Sequence, residues 1–486
     1  MASQSANEEA QVPTEETPLL SNPRRAIRKP INWLTSILTL IVVLTVTAGV
    51  NSIPFVVGRI RYHDSPRPHL PPKPKLPPPP GDSNLNYTRH LVLPIGNISQ
   101  PANVPVWTHI NVLESLNGGW IKPVGNVRLA RGDLQQASNF IARIDLAGPS
   151  QRAIDLVNIV QWSSGSRQSE EWLYISCKTY WAPGEEPHWD QTVRVDVTLF
   201  VKPFTNHQGR LTISTQHLNI NVMSGLVFST GVLTLISNRG SVNSDEAGPY
   251  FVMAETHLST YGGPLTGIWR YPYKFFINTG DSPTNITLAA SPRTQPWLRS
   301  GTITAQSLQG DININMPMDQ MNLRTHSITI ESQAGNIGGV LMVGPDTTIR
   351  TQGNGSLNVE LVPYFLPSWD FISRQRVLHR GQLHTSTEAG SQRVVVVAPE
   401  WKSSESRTSL LSMDSYHQSG SGNLHLEYPH EWEGTALGTS RSGNMSITGA
   451  ELAGEGGSVA IGRRGWGNGT RLTFATDSGN GRLILN

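Results

Sequence analysis

From Gly209 to its end, the chain keeps returning to one short unit: alternating apolar residues, a Ser or Thr, a Gly-containing corner, and a second short strand. Leu211-Thr-Ile-Ser-Thr215 recurs about 22 residues later as Leu233-Thr-Leu-Ile-Ser237, followed by Asn238-Arg-Gly240. Ile328-Thr-Ile-Glu-Ser332 runs into Ala334-Gly335-Asn-Ile337. About 19 residues on come Thr348-Ile-Arg-Thr351 and Gly353-Asn-Gly355-Ser-Leu357-Asn-Val359. Gly301-Thr-Ile-Thr304, Gly310-Asp-Ile-Asn-Ile-Asn315, and the closing pair Arg471–Thr476 and Gly479–Leu485 repeat the theme. Each corner glycine is expected to supply a positive φ. A period near 20 residues is that of stacked repeats, in which one rung buries its face against the next. The expected fold is therefore all-β, with β-solenoid (β-helix-like) repeats over 206–486. A β-sandwich of short hairpins is the alternative.

The preceding stretch, 86–205, is rich in Trp and also reads as strands. It is either a separate β domain or a cap on the repeats. Val193, Val195, Val197, Leu199 and Val201 alternate on one face. Glu171–Trp181 is aromatic and β-branched, and the turn residues 182–187 between the two runs predict a hairpin. Residues 151–160 fit a short helix or another strand, and 368–379 fits a helical turn. Cys177, the single cysteine, lies in an apolar run and reads as a small buried hydrophobe. An intermolecular disulfide is the sharper alternative.

Before the β region, Ile31–Val50 holds no charged residue and is long enough to span a bilayer as a helix. The predicted transmembrane helix covers 31–58, with Trp33 at one interface and Pro54 near its far end. A cleavable signal peptide would have a shorter leader and a shorter apolar core. Basic residues flank both ends, so charge alone does not orient the helix. Two other features do. The glycosylation sequons at Asn86, Asn97, Asn285, Asn354, Asn444 and Asn468 all follow it. Glu15, Leu19 and Leu20 form an acidic dileucine pattern of the kind read by cytosolic sorting adaptors. The expected topology is a disordered cytoplasmic tail at 1–30 and a single span, with the rest outside the cytosol. That places the chain in the plasma membrane or a vacuolar or endosomal membrane, with the lipid bilayer as its first partner. Between span and β region, 59–85 contains Ser65–Pro80, where closely spaced prolines favour an extended polyproline II stalk.

Gly422-Asn-Leu-His-Leu-Glu-Tyr-Pro-His-Glu-Trp432-Glu-Gly434, then Thr439 and Gly443-Asn-Met-Ser-Ile-Thr448, form a strand, a proline turn, an aromatic, Glu-Gly and glycine corners. The pattern resembles the adhesin-like domains of unknown function found in fungal membrane proteins. The likeness covers roughly 205–486, and it is reinforced by the N-terminal plan of acidic tail, Pro-Leu-Leu and anchor. It implies a β-solenoid core and an adhesin-like role, with cell-wall polysaccharide or surface proteins as partners.

Catalytic signatures are missing from the sequence: no Gly-x-Ser-x-Gly, His-Glu-x-x-His, Cys-x-x-Cys or phosphate loop. A net charge of +2, with 15% charged residues and no basic stripe in the β region, argues against nucleic acid. His425, Glu427, His430, Glu431 and Glu433 are the best metal-like cluster, but solvated side chains around Pro429 explain them as well. A polysaccharide hydrolase or lyase would need two converging carboxylates, with Asp311, Glu331 and Glu360 as the available residues. The aromatics Trp162, Trp172, Tyr174, Tyr180, Trp181 and Trp189 either fill a core or stack on sugar rings. The sequence reading is a non-enzymatic, single-pass membrane glycoprotein without cofactor. Its alternative is an anchored carbohydrate-active enzyme of the secretory pathway or vacuole.

Overall fold

The alternation of apolar residues in each repeat buries one side of every strand, and in the structure those sides face each other across two long sheets. A computed structural model describes residues 85–95, 109–116, 121–163, 170–177, 191–245, 251–270, 272–289, 301–317, 326–364, 368–370, 375–377, 380–398, 410–465 and 469–486. The expected tail with Glu15, Leu19 and Leu20, the helix over 31–58 and nearly all of the stalk lie outside these residues. So do Asn97 and Asn468. Among the described residues no helix is long and apolar enough to cross a membrane.

A 16-stranded front sheet runs from Val157–Ser163 at one edge to Glu451–Gly456 at the other. A 15-stranded back sheet runs from Tyr87–Ile95 to Met445–Thr448. From Thr205 to Tyr428 the chain alternates between them, and each strand pairs in parallel with the next strand of its own sheet. The register is the one the repeats predict. Leu211–Thr215 lies against Leu233–Ser237, and Ile328–Ser332 lies against Thr347–Thr351. A sandwich of hairpins would pair consecutive strands antiparallel. From Thr205 to Tyr428 consecutive strands fall in different sheets, apart from the pair Ser368–Asp370 with Gln375–Val377, and the other antiparallel pairs lie at the two ends. Inward columns such as Ile303, Ile328 and Leu383 are fully buried. Each such side chain contributes about 2 kcal/mol relative to remaining in water.

Two features recur at the corners. The Ser or Thr ending a front strand is turned inward, forming an in-register column through Thr215, Ser237, Thr260, Thr279, Ser307, Ser332 and Thr351. Several of these hydroxyls, and that of Thr387 next in the column, reach a carbonyl just around the corner: Thr215 donates to Leu218 at 2.7 Å, Ser307 to Gly310 at 2.7 Å and Thr387 to Gly390 at 2.6 Å, whereas the buried Ser332 hydroxyl has no partner among the described residues. The glycines past the corner are also stacked. The expected positive φ is found at Gly353 (φ 57°), whereas Gly240, Gly310, Gly335, Gly390 and Gly422 are all outside the left-handed region. Their backbones instead touch the carbonyl of the rung before, leaving no room for a Cβ.

The first rungs are closed differently. Gln191–Val201 does not form a hairpin with Glu170–Cys177. It lies in the back sheet between Ile121–Arg131 and Phe140–Gly148, while Glu170–Cys177 pairs in the front sheet with His109–Ser115. The valines of 193–201 need a fully covered central position, which a two-stranded hairpin does not offer. The stretch 151–163 is both things expected of it: a one-turn helix α1 (Gln151–Asp155), then a strand (Val157–Ser163). Ser150 caps α1 by accepting from the Ala153 amide at 3.2 Å, and Ala153 and Ile154 plug the end of the core. The helical turn expected at 368–379 is the antiparallel pair just named, because an isolated turn gains too few hydrogen bonds to persist. Cys177 is buried, and desolvation raises its thiol pKa, as fits a packing role.

Glu114 terminates the hydroxyl column. It sits in register with Thr215, and its buried carboxylate accepts from the amides of Leu116 and Gln216 at 2.8 Å and of His217 at 2.9 Å. Glu114→Ala would leave these donors unsatisfied and should lower stability by about 3 kcal/mol. Glu114→Gln, which keeps an acceptor, should lose less. Urea unfolding of the two variants checks the order.

Candidate binding face

Because strands in both sheets are in register, each outward position becomes a straight row along the coil. One row crosses the entire front sheet. It begins with the cross-strand pair Trp162 and Trp172 and passes through Asn111, Thr212, Thr234, His257 and Phe276. It continues through Thr304, Thr329, Thr348, His384 and Tyr416 to Thr473, Leu437 and Ile461. Every member is half-buried or exposed. Neighbours are about 4.8 Å apart, so rings and hydroxyls alternate in blocks along the sheet.

The rings are held in place. His257 stacks on Phe276, with centroids 4.6 Å apart and planes 16° from parallel. Its Nε2 lies 3.1 Å from Glu255, which also accepts from Lys274 Nζ at 2.8 Å. Hydrogen bonds from Lys274 first, and then from His257, hold the Glu255 carboxyl below its ordinary pKa. His384 and Tyr416 form a tilted pair at 5.8 Å, and Tyr416 donates to Gln418 at 3.2 Å. Trp172 donates to Glu170 at 3.2 Å, while Trp162 is 55% exposed.

Beneath His384 and Tyr416 the core is polar. His417 Nδ1 lies 2.7 Å from Thr385 Oγ1, and its Nε2 lies 2.8 Å from the Tyr428 hydroxyl. Burial, aided by the charge of nearby His384, lowers the His417 pKa to about 3. Burial likewise raises that of Tyr428.

Other predicted residues fall elsewhere. Asp311 is at a corner and accepts from the Asn336 amide at 2.8 Å. Glu331 faces outward on the front sheet, and Glu360 faces outward on the back sheet. The three carboxylates do not converge. The His/Glu cluster divides into pairs: His425 with Glu427 at 2.9 Å and His430 with Glu431 at 3.2 Å. The His425 hydrogen bond, with Arg393 assisting, lowers the Glu427 pKa. Among the described residues no group of three or more His, Cys, Asp or Glu side chains is placed to hold a metal. The sequons at Asn86, Asn285, Asn354 and Asn444 are all exposed, and Asn285 accepts from Asn313 at 3.2 Å. Trp162 and Trp172 lie in the row and Tyr174 beside it, paired with Val160, whereas Tyr180, Trp181 and Trp189 are outside the described residues. His257, Phe276, His384 and Tyr416 were not singled out by sequence. Their signal is parity: each occupies the outward position of a strand whose inward residues are apolar or Ser/Thr.

These features define an all-β protein of long parallel sheets with one ring-and-threonine face. No protein-family model matches the chain. A comparison with curated proteins also finds no match. Two solved structures align over 82% of it. One is a candidate cell adhesion protein from Clostridium sporogenes, 6% identical and covered over 100% of its length, with a TM-score of 0.18. The other is a candidate lipid-binding protein from Parabacteroides distasonis, 10% identical and covered over 97%, with a TM-score of 0.24. Both scores are too low to carry fold or function from those proteins to this one.

Proposed function

We propose that this chain is a non-enzymatic, adhesin-like membrane glycoprotein, in which a stalked β-solenoid binds an extended cell-wall polysaccharide along its front sheet. The row from Trp162 to Ile461 supports the binding half of this reading. Ring faces offer apolar area to the C–H faces of sugars, and the intervening threonines offer donors and acceptors to their hydroxyls. A straight row suits a polymer better than a small ligand, because weak contacts repeated along one chain add up through effective concentration. The charge-free segment within 31–58, the sequons that follow it and the resemblance to fungal adhesin-like domains support the anchored half. On that reading the N-terminus is cytoplasmic, with the dileucine pattern available to adaptors.

The test is co-sedimentation of the detergent-solubilised full chain with insoluble chitin and β-glucan. Binding to at least one is expected. The double substitution Phe276→Ala and Tyr416→Ala should weaken it roughly tenfold, equivalent to about 1.4 kcal/mol. Unaltered binding by a folded double variant would remove the face from consideration.

A further inference from the structure

At its C-terminal end the same row borders a groove of about 630 Å³, whose lining includes Arg380, Thr435, Leu437, Arg471 and Thr473. Leu437 and Thr473 belong to the row itself. The arginines come from the neighbouring row. Thr435 pairs with Arg471 on one side and with Arg463 on the other, so these two arginines start about 9.6 Å apart, two strand spacings, on one outward face. Both are exposed.

Two acidic residues border these arginines: Glu451, the exposed register partner of Arg463, and Asp414 on the Arg471 side. Asp414 is gripped by Arg380, with Nε at 2.6 Å from Oδ2 and Nη2 at 2.7 Å from Oδ1, and it also accepts the Arg471 backbone amide at 2.8 Å. Arg380 therefore neutralises Asp414. Among the described residues no carboxylate, Glu451 included, forms a salt bridge with the guanidinium groups of Arg463 and Arg471. Guanidinium stays charged at any physiological pH, and its planar fork matches a carboxylate in two-point contact. A groove with free guanidinium groups beside it and a threonine-rich floor leading into a ring-and-threonine row is chemically matched to sugar units that bear acidic groups.

We infer that this groove selects an acidic polysaccharide, with uronate carboxylates bound by Arg471 and Arg463 while the neutral parts of the chain lie on the row. The inference rests on the polysaccharide-binding reading above and adds the ligand class to it. The two fail separately when the full-length protein is titrated against a soluble polyuronate and against the same polymer with its carboxylates reduced to hydroxyls. At low salt the acidic form should bind roughly tenfold more tightly, and the gap should close as ionic strength rises. The double substitution Arg463→Gln and Arg471→Gln should bring the acidic form down to the affinity of the reduced one, with melting temperature as the control for folding.

Equal binding of the two polymers by the unmodified protein overturns the acidic preference and leaves polysaccharide binding standing. Preference that survives in a folded double variant overturns the assignment to this groove. Binding to vesicles rich in anionic lipid, with neither polymer bound, overturns both readings in favour of a membrane surface.

Discussion

Gly390→Ala should lower the stability of the protein by about 3 kcal/mol, the upper end of what overpacking costs. The residue has ordinary backbone torsion, so alanine meets no conformational penalty of its own. The penalty is a collision. A Cβ at this position would land on the carbonyl oxygen of Gly355, the residue stacked beneath it, well inside 3.0 Å. Gly422 stands in the same relation to Gly390, and Gly479 to Gly422, so the column has no slack in either direction. Side chains can rotate away from an intruder, but these carbonyls cannot. The flanking strands are fixed by parallel pairing, Leu357–Leu361 with Gln392–Val396 and Gln392–Val395 with Leu424–Glu427. Because each rung is covered by the next, the strain would spread through the stack. Gly454→Ala is the control. That glycine also has ordinary torsion, but no atom lies within 4 Å of its Cβ position, and a change within about 0.5 kcal/mol is expected. Chemical denaturation of the two variants decides the matter, and equal midpoints would sink the close-approach account.

The same column shows what sequence reasoning reaches and where it stops. The recurrence of Leu211–Thr215 at Leu233–Ser237 was legible because one face of each strand must be apolar, and a rung that repeats must stack in register. The Ser/Thr at each strand end was visible too, since a hydroxyl is short enough to close a corner. Why glycine follows it was not legible, because positive φ and close approach leave the same mark in a sequence. Gln191–Val201 shows a second limit. Its alternation identified a strand but not its neighbours, and the nearer strand in sequence was not the nearer one in space. The binding face was legible in part. Exposed Trp162 could be suspected from aromatic density alone. The alignment of His257, Phe276, His384 and Tyr416 needs every rung length between them, and those lengths vary. His417 was overlooked for a related reason: in Met413–Ser419 it shares inward parity with Ser415 and Ser419, and only the fold shows that parity to be buried.

Acidification should destabilise the fold through that histidine. Its surroundings form a directional chain. The Thr385 hydroxyl donates to Gln392 Oε1 at 2.6 Å, so toward His417 it can only accept, and Nδ1 must carry the proton. Nε2 is then the acceptor of the Tyr428 hydroxyl at 2.8 Å. A second proton on the ring would oppose the Tyr428 O–H and place a charge in a site without solvent. Burial first, with nearby His384 adding to it, is why the folded pKa falls from 6.5 to about 3. Above the unfolded value both states hold neutral imidazole, and the group contributes no pH dependence. Below it the unfolded chain binds a proton that the folded chain refuses. Stability therefore declines by about 1.4 kcal/mol per pH unit, approaching a total of about 5 kcal/mol near the folded pKa. The measurement is the unfolding free energy from urea titrations between pH 7 and pH 4, for the natural chain and for His417→Gln, which keeps a donor and an acceptor but cannot titrate. The natural chain should lose roughly 3 kcal/mol more than the variant over that interval. Parallel curves for the two proteins would mean that His417 is protonated in the folded state at mildly acidic pH, and the account of its buried, neutral ring would be wrong.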